Sequence, residues 1–134
     1  MNYRDLMKWR NHIYLDELTE PEENSLRILI NICSNIDSPF EVEKDSSVQL
    51  DFESYISYSI INESFTETDK YEISEGERFR IFTKSRYLDF VKISTIAEDI
   101  FPDDPFTHYC IPCLNHIIDI ISFKEPKIIE LKRS

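Results

Sequence analysis

Apolar and polar residues alternate along most of this chain, and the alternation has the two-residue period of a half-buried strand. Leu26 to Cys33 sets Leu26, Ile28, Ile30 and Ile32 against Arg27, Leu29, Asn31 and Cys33, which predicts a central strand. Asp37-Ser38-Pro39 turns the chain, and Phe40–Glu43 and Val48–Phe52 read as short strands flanking a polar turn, Lys44-Asp45-Ser46-Ser47. Tyr55 to Ile61, YISYSII, is rich in aromatic and β-branched residues and predicts a longer strand. In residues 71–83, YEISEGERFRIFT, two runs flank Glu75-Gly76, and the only glycine of the chain stands where a tight reversal needs a positive φ. That stretch predicts a hairpin.

The period changes after it. Tyr87, Leu88, Val91, Thr95 and Ile96 form a stripe at helical spacing, with charges between them, so residues 85–97 predict one amphipathic helix capped by Ser85. Phe101-Pro102-Asp103-Asp104-Pro105 stops it, because proline cannot continue a helix. Residues 106–122 and 127–131 revert to strand-like runs around Lys124-Glu125-Pro126. Near the start, Tyr3, Leu6, Met7, Arg10 and Ile13 have helical spacing, while His12-Ile13-Tyr14-Leu15 equally begins a strand. The fold class expected is α+β: a β-rich antiparallel sheet with one main helix over 85–97 packed on it, and a short N-terminal helix. No repeat, low-complexity tract or Gly/Ser linker divides the chain, so a single domain over residues 1–134 is expected.

Charge adds a direction. The net charge is -11, and residues 16 to 77 hold 17 Asp or Glu against only Arg27, Lys44 and Lys70. A field of that sign repels phosphate backbones, which disfavours direct binding to nucleic acid or an anionic membrane and points to a basic protein partner. Carboxylates around aromatic rings suit such an interface, the charges raising the association rate and the rings anchoring it. The contact residues expected are Asp51, Glu53, Glu63, Glu67, Asp69, Glu72, Glu75 and Glu77, with Tyr55 and Tyr58 and, nearby, Phe65 and Tyr71. The same tract also reads as solvated turns that keep a β-rich protein soluble. The stretch MNYRDLMKWRNH has charge from residue 4 and no apolar leader run, and no segment approaches the ~18 apolar residues of a membrane span, so a cytoplasmic protein is expected.

Candidate chemistry concentrates in His108-Tyr-Cys-Ile-Pro-Cys-Leu-Asn-His116. If the segment runs straight, its ends lie roughly 26 Å apart and Cys110 and Cys113 point to opposite faces, too scattered for a tetrahedral metal site. No metal or other cofactor is expected. Cys-Ile-Pro-Cys also resembles the Cys-x-Pro-Cys of thioredoxin-like oxidoreductases, in which the motif opens a helix that lowers a thiol pKa. That resemblance implies a thiol-dependent redox enzyme using Cys110 and Cys113 as the alternative function. Against it, the isoleucines that follow favour extension over helix. The remaining reading takes the thiols as small core hydrophobes. With a single glycine the chain carries no P-loop, dinucleotide-binding loop or nucleophile elbow, and no catalytic residue is assigned.

Tyr58-Ser-Ile-Ile-Asn-Glu-Ser-Phe65, Phe79-Arg-Ile-Phe-Thr-Lys-Ser-Arg-Tyr-Leu-Asp-Phe-Val91 and His108 to Ile121 together resemble small immunity proteins of Gram-positive bacterial polymorphic toxin systems. The resemblance covers about half of the chain and brings no functional residue with it. It implies a small acidic cytoplasmic protein, not an enzyme, that neutralises one cognate toxin domain, commonly a basic nuclease, by occluding its substrate surface. A non-catalytic adaptor binding through an exposed strand edge is a further reading.

Overall fold

The computed structural model describes residues 1–33, 43–65, 69–95, 97–100 and 105–132. Outside them lie the predicted turn at Asp37-Ser38-Pro39, most of the predicted strand Phe40–Glu43, the expected contact residue Glu67 and the predicted helix stop from Phe101 to Asp104. The protein is α+β, with two antiparallel sheets packed face to face and one helix on the outside. Sheet A has the order β1 (Ile13–Thr19), β2 (Leu26–Ile32), β3 (Glu43–Phe52), β9 (Lys127–Lys132). Sheet B has the order β4 (Tyr55–Asn62), β8 (His116–Ser122), β7 (Thr107–Pro112), β6 (Arg80–Lys84), β5 (Ile73–Glu75).

Alternation decides which side chains face the shared core. Sheet A supplies Leu26, Ile28 and Ile30 from β2, opposite Phe52, Leu50 and Val48 of β3; sheet B supplies Tyr109, Ile111, Ile118 and Ile120. All are buried, and burying each such side chain is worth roughly 1.5–3 kcal/mol. In β1 a bulge at Asp16 shifts the register between Leu15 and Glu17, so Leu15 and, after the bulge, Leu18 both pack on the core despite their odd spacing. The short N-terminal helix α1 (Tyr3–Leu6) closes the core. Asn2 caps it in a reciprocal capping box with Asp5, and the buried Tyr3 hydroxyl donates to the Arg80 carbonyl at 2.8 Å.

The predicted strands over Leu26–Cys33 and Tyr55–Ile61 are present as β2 and β4. The predicted turn Lys44–Ser47 is not a turn: it belongs to the ten-residue strand β3. Ser47 is paired on both sides, opposite Asn31 of β2 and Leu131 of β9, and Ser46 faces Lys132, while the register with β2 shifts beyond Asn31 so that Lys44 and Asp45 continue the strand through a bulge. The single sheet expected is two, since the tight Glu53-Ser54 connection between β3 and β4 carries the chain from one layer to the other.

The predicted hairpin is β5–β6, closed by residues 76–79, and Gly76 has φ +103°. A Cβ there would overlap the Phe79 carbonyl oxygen. Gly76→Ala should therefore destabilise the protein by about 1–3 kcal/mol, read as a lower urea midpoint at unchanged slope. The main helix is α2 (Arg86–Ser94), with the Ser85 hydroxyl accepting from Leu88 N at 3.0 Å, as the capping signal predicts. It ends earlier than the stripe to Ala97 predicts: Thr95 is extended, and a separate short helix α3 covers Ala97–Ile100. Leu88 and Val91 pack on Ile121 of sheet B. That cover explains the apolar run His116-Ile-Ile-Asp-Ile-Ile: Ile118 and Ile120 face the sandwich core, while Ile121 faces α2.

Candidate functional site

The cysteine-histidine stretch folds back on itself. Positions 108 to 121 do not run straight: β7 and β8 form a hairpin joined through Cys113-Leu114-Asn115, with His108 opposite Ile121 and Cys110 opposite Asp119. The turn works as a clamp on the edge strand β1. Leu114 N donates to the Ile13 carbonyl at 2.9 Å, and the Asn115 amide makes bonds of 3.0 and 3.1 Å to the backbone N–H and carbonyl of Leu15. An edge whose backbone groups are bonded in this way is not free to pair elsewhere.

The hairpin separates the two thiols after all, by facing rather than by distance. Cys113 lies in the sandwich core beside Cys33, and Cys110 faces the outer side of sheet B beside Asp119. Burial pushes both thiols up, Cys110 well above its ordinary value with the Asp119 carboxylate adding to the effect. A redox or nucleophilic cysteine needs the opposite shift. The strand β8, not a helix, follows the motif, so the helix dipole of the thioredoxin-like arrangement is missing as well. Among the described residues no group of three or more His, Cys, Asp and Glu side chains is placed to hold a metal ion.

What the hairpin does assemble is a buried relay that the chain order conceals. His108 Nδ1 lies 2.7 Å from Ser85 Oγ, and His108 Nε2 lies 2.7 Å from Asp119 Oδ1. Ser85 Oγ already accepts the Leu88 N–H of the helix cap, and a carboxylate only accepts. In the neutral ring, hydrogen-bond accounting therefore assigns Nε2–H to donate to Asp119 and the Ser85 hydroxyl to donate to Nδ1. The imidazole also stacks on Phe82, with centroids 4.8 Å apart and planes 21° apart. The three residue types match a hydrolytic triad, yet Ser85 is fully buried, His108 is 1% exposed, and the carboxylate takes the nitrogen that faces serine in such triads. A substrate has no path to this hydroxyl. The relay joins α2, β7 and β8, and its His108 and Asp119 line a cleft of about 600 Å³ on the outer face of sheet B.

The expected acidic contact residues divide between two ends of the molecule, and most of the described ones are already paired internally. At the β5–α2 end, Arg4 lies 3.5 Å from Glu75, Arg10 3.9 Å from Glu77 and Arg86 2.6 Å from Asp69, while Glu72 accepts the Arg86 N–H at 3.3 Å. The Arg86 guanidinium and the Tyr71 N–H hold Asp69 below the usual carboxylate range, and Tyr71 itself carries Lys84 and Arg86 over its ring. At the β3–β4 end, Arg27 pairs with Asp51 at 2.8 Å and Lys127 with Glu53 at 2.7 Å. Glu63 begins a 3-10 turn after β4.

Tyr55 and Tyr58 stand together at that second end, their rings edge to face at 5.0 Å. The Tyr55 hydroxyl donates to Glu20, and that bond, with partial burial, pushes its pKa up to about 12. Here the structure adds residues outside the expected contact set: Glu20, Glu22 and Glu23 line a recess of about 510 Å³ with Tyr55. Among the described residues Glu22 and Glu23 form no salt bridge. The local signal was present in Thr19-Glu20-Pro21-Glu22-Glu23, but its proximity to Tyr55 depends on the Tyr55 N–H reaching the Asn24 carbonyl across the sheet end. Compared with family models, with curated proteins and with solved structures, the chain matches none.

Proposed function

We propose that the chain is an immunity protein that binds a basic toxin domain, a nuclease, and blocks the surface on which that domain holds its nucleic acid. The observation that carries this reading is the recess at the β3–β4 end, where Glu20, Glu22 and Glu23 surround Tyr55. An aromatic ring inside a rim of carboxylates suits a protruding lysine or arginine, the ring giving the contact its anchor and the rim its rate. Asp51 and Glu53 lie at the same end, where Arg27 and Lys127 already offset them. The paired carboxylates at the β5–α2 end contribute less, because Arg4, Arg10 and Arg86 already offset them. The mechanism is occlusion, and it asks no chemistry of the inhibitor.

A second reading, an adaptor that pairs through a strand edge, draws on β4. It ends sheet B, its eight residues YISYSIIN carry no charge, and Ile60 and Ile61 are exposed. Long uncharged edges invite pairing.

The test is capture from the native host followed by a nuclease assay. A basic protein should be recovered whose activity disappears when the chain is added back in equimolar amount. Its association rate should fall about tenfold or more between about 50 and about 500 mM salt, and reversing charge with Glu22→Lys and Glu23→Lys should remove that dependence. A partner that keeps its activity, or binds at a rate indifferent to salt, rules the reading out. Loss of binding in Ile60→Lys with the recess intact would select the strand-edge adaptor instead.

A further inference from the structure

The outer face of sheet B is ordered in rows by its register. Phe82, His108, Ile121 and Ser57 form one row beside α2; Arg80, Cys110, Asp119 and Ser59 form the next; Pro112, Ile117 and Ile61 form a third. All of the last two rows but Ser59 line the cleft of about 600 Å³ with Phe82 and His108 of the first, and Arg78 and Arg86 line it as well.

The charged groups of this cleft are unequally committed. Asp69 is held by Arg86 and the Tyr71 N–H and Asp119 by His108, while Glu72 accepts the backbone N–H of Arg86. Among the described residues Arg80 donates to the Glu77 carbonyl at 3.0 Å and the Ser74 hydroxyl at 3.4 Å, and Arg78 to the Arg10 carbonyl at 3.3 Å. Neither forms an ion pair among the described residues, although the chain contains 26 Asp and Glu. A guanidinium has five donors in a fork that matches two oxygens of a carboxylate or phosphate, so both side chains keep donors to give. Beside them, Pro112, Ile117 and Ile61 present an apolar shelf.

We infer that this cleft binds a small organic oxyanion, a carboxylate or phosphate held by Arg78 and Arg80 with its apolar body on Pro112, Ile117 and Ile61. The site is separate from the recess around Tyr55 and stands or falls independently of it. The apolar shelf demands more than a bare anion, and with Asp69 paired to Arg86 and Asp119 bonded to His108, two of the three lining carboxylates are already engaged while Arg78 and Arg80 form no ion pair among the described residues.

Nuclear magnetic resonance titration of the ¹⁵N-labelled full chain tests it, with acetate and inorganic phosphate as headgroups alone and hexanoate and hexyl phosphate as headgroups with a body. Hexanoate or hexyl phosphate should shift the Nε–H signals of Arg78 and Arg80 and the backbone amides of Cys110 and Ile117, and bind at least about tenfold more tightly than its bare headgroup. Arg80→Gln should weaken that binding about tenfold or more, and Arg27→Gln, at the other end of the molecule, should leave it unchanged. Arg78→Gln, outside the strands, serves if Arg80→Gln does not fold. Absence of these shifts, equal binding by either Gln variant, or bare headgroups binding as tightly as the alkyl compounds would overturn the inference.

Discussion

Raising the pH from 9 to 11 is expected to lower folding stability steeply through two buried thiols, Cys110 and Cys113. Each is raised from an ordinary value of 9.0 by burial, Cys110 with the Asp119 carboxylate as a further cause. Below pH 9 both are protonated in the folded and unfolded chains alike, and their contribution is fully present. Above it the unfolded chain loses thiol protons that the folded one keeps, so the unfolded state gains up to about 1.4 kcal/mol per pH unit for each thiol. The loss continues until the folded thiols themselves titrate. Against a total stability of about 5–15 kcal/mol for a domain of this size, a loss of that slope is readily measured. Urea midpoints across this range should fall steeply in the native sequence, less steeply in Cys113→Ala, and least in Cys110→Ala/Cys113→Ala. Equal slopes in all three would show that the thiols are not the cause.

His108→Ala is the substitution expected to cost most, about 3–5 kcal/mol at neutral pH. It empties the volume of an imidazole that is 1% exposed, removes the stack on Phe82, and leaves both the Ser85 hydroxyl and the Asp119 carboxylate without the ring between them. Ser85→Ala removes the helix cap and one end of the relay but keeps the charge-bearing bond, and should cost about 1–2 kcal/mol. The ordering, read from urea midpoints, is the diagnostic. If the two variants were equally destabilised, the relay would reduce to a helix cap and the His108–Asp119 contact would contribute nothing.

Much of this fold was legible in local pattern because the elements concerned are two-faced and short. Leu26–Cys33 read as a strand since one face is core and the other is not, Tyr55–Ile61 because its aromatic and β-branched residues favour extension, and Gly76 marked its reversal because few other residues accept that φ. Ser85 was legible as a cap because capping is a contact three residues long. The same rule misread Lys44–Ser47, whose polarity says turn while Ser47, paired with both neighbouring strands, and Ser46, paired with β9, carry the strand into it. It also left 108–121 as one straight run, since Cys113-Leu-Asn115 looks no more like a turn than its surroundings until the edge of β1 supplies partners for it.

For the candidate sites the balance tips further. Composition alone set the negative charge, the absence of phosphate-binding and nucleophile-elbow motifs, and the isoleucine run that keeps Cys-Ile-Pro-Cys from opening a helix. Tertiary structure decided which carboxylates are neutralised by the chain's own arginines and lysines, which ones surround Tyr55, and that Ser85, His108 and Asp119, up to 34 positions apart, share one network. The reason is range. Propensity, capping and amphipathic period act over a few residues and are written in order along the chain, whereas ion pairing and burial depend on which strands become neighbours, and here that was settled by two sheets closing over one core.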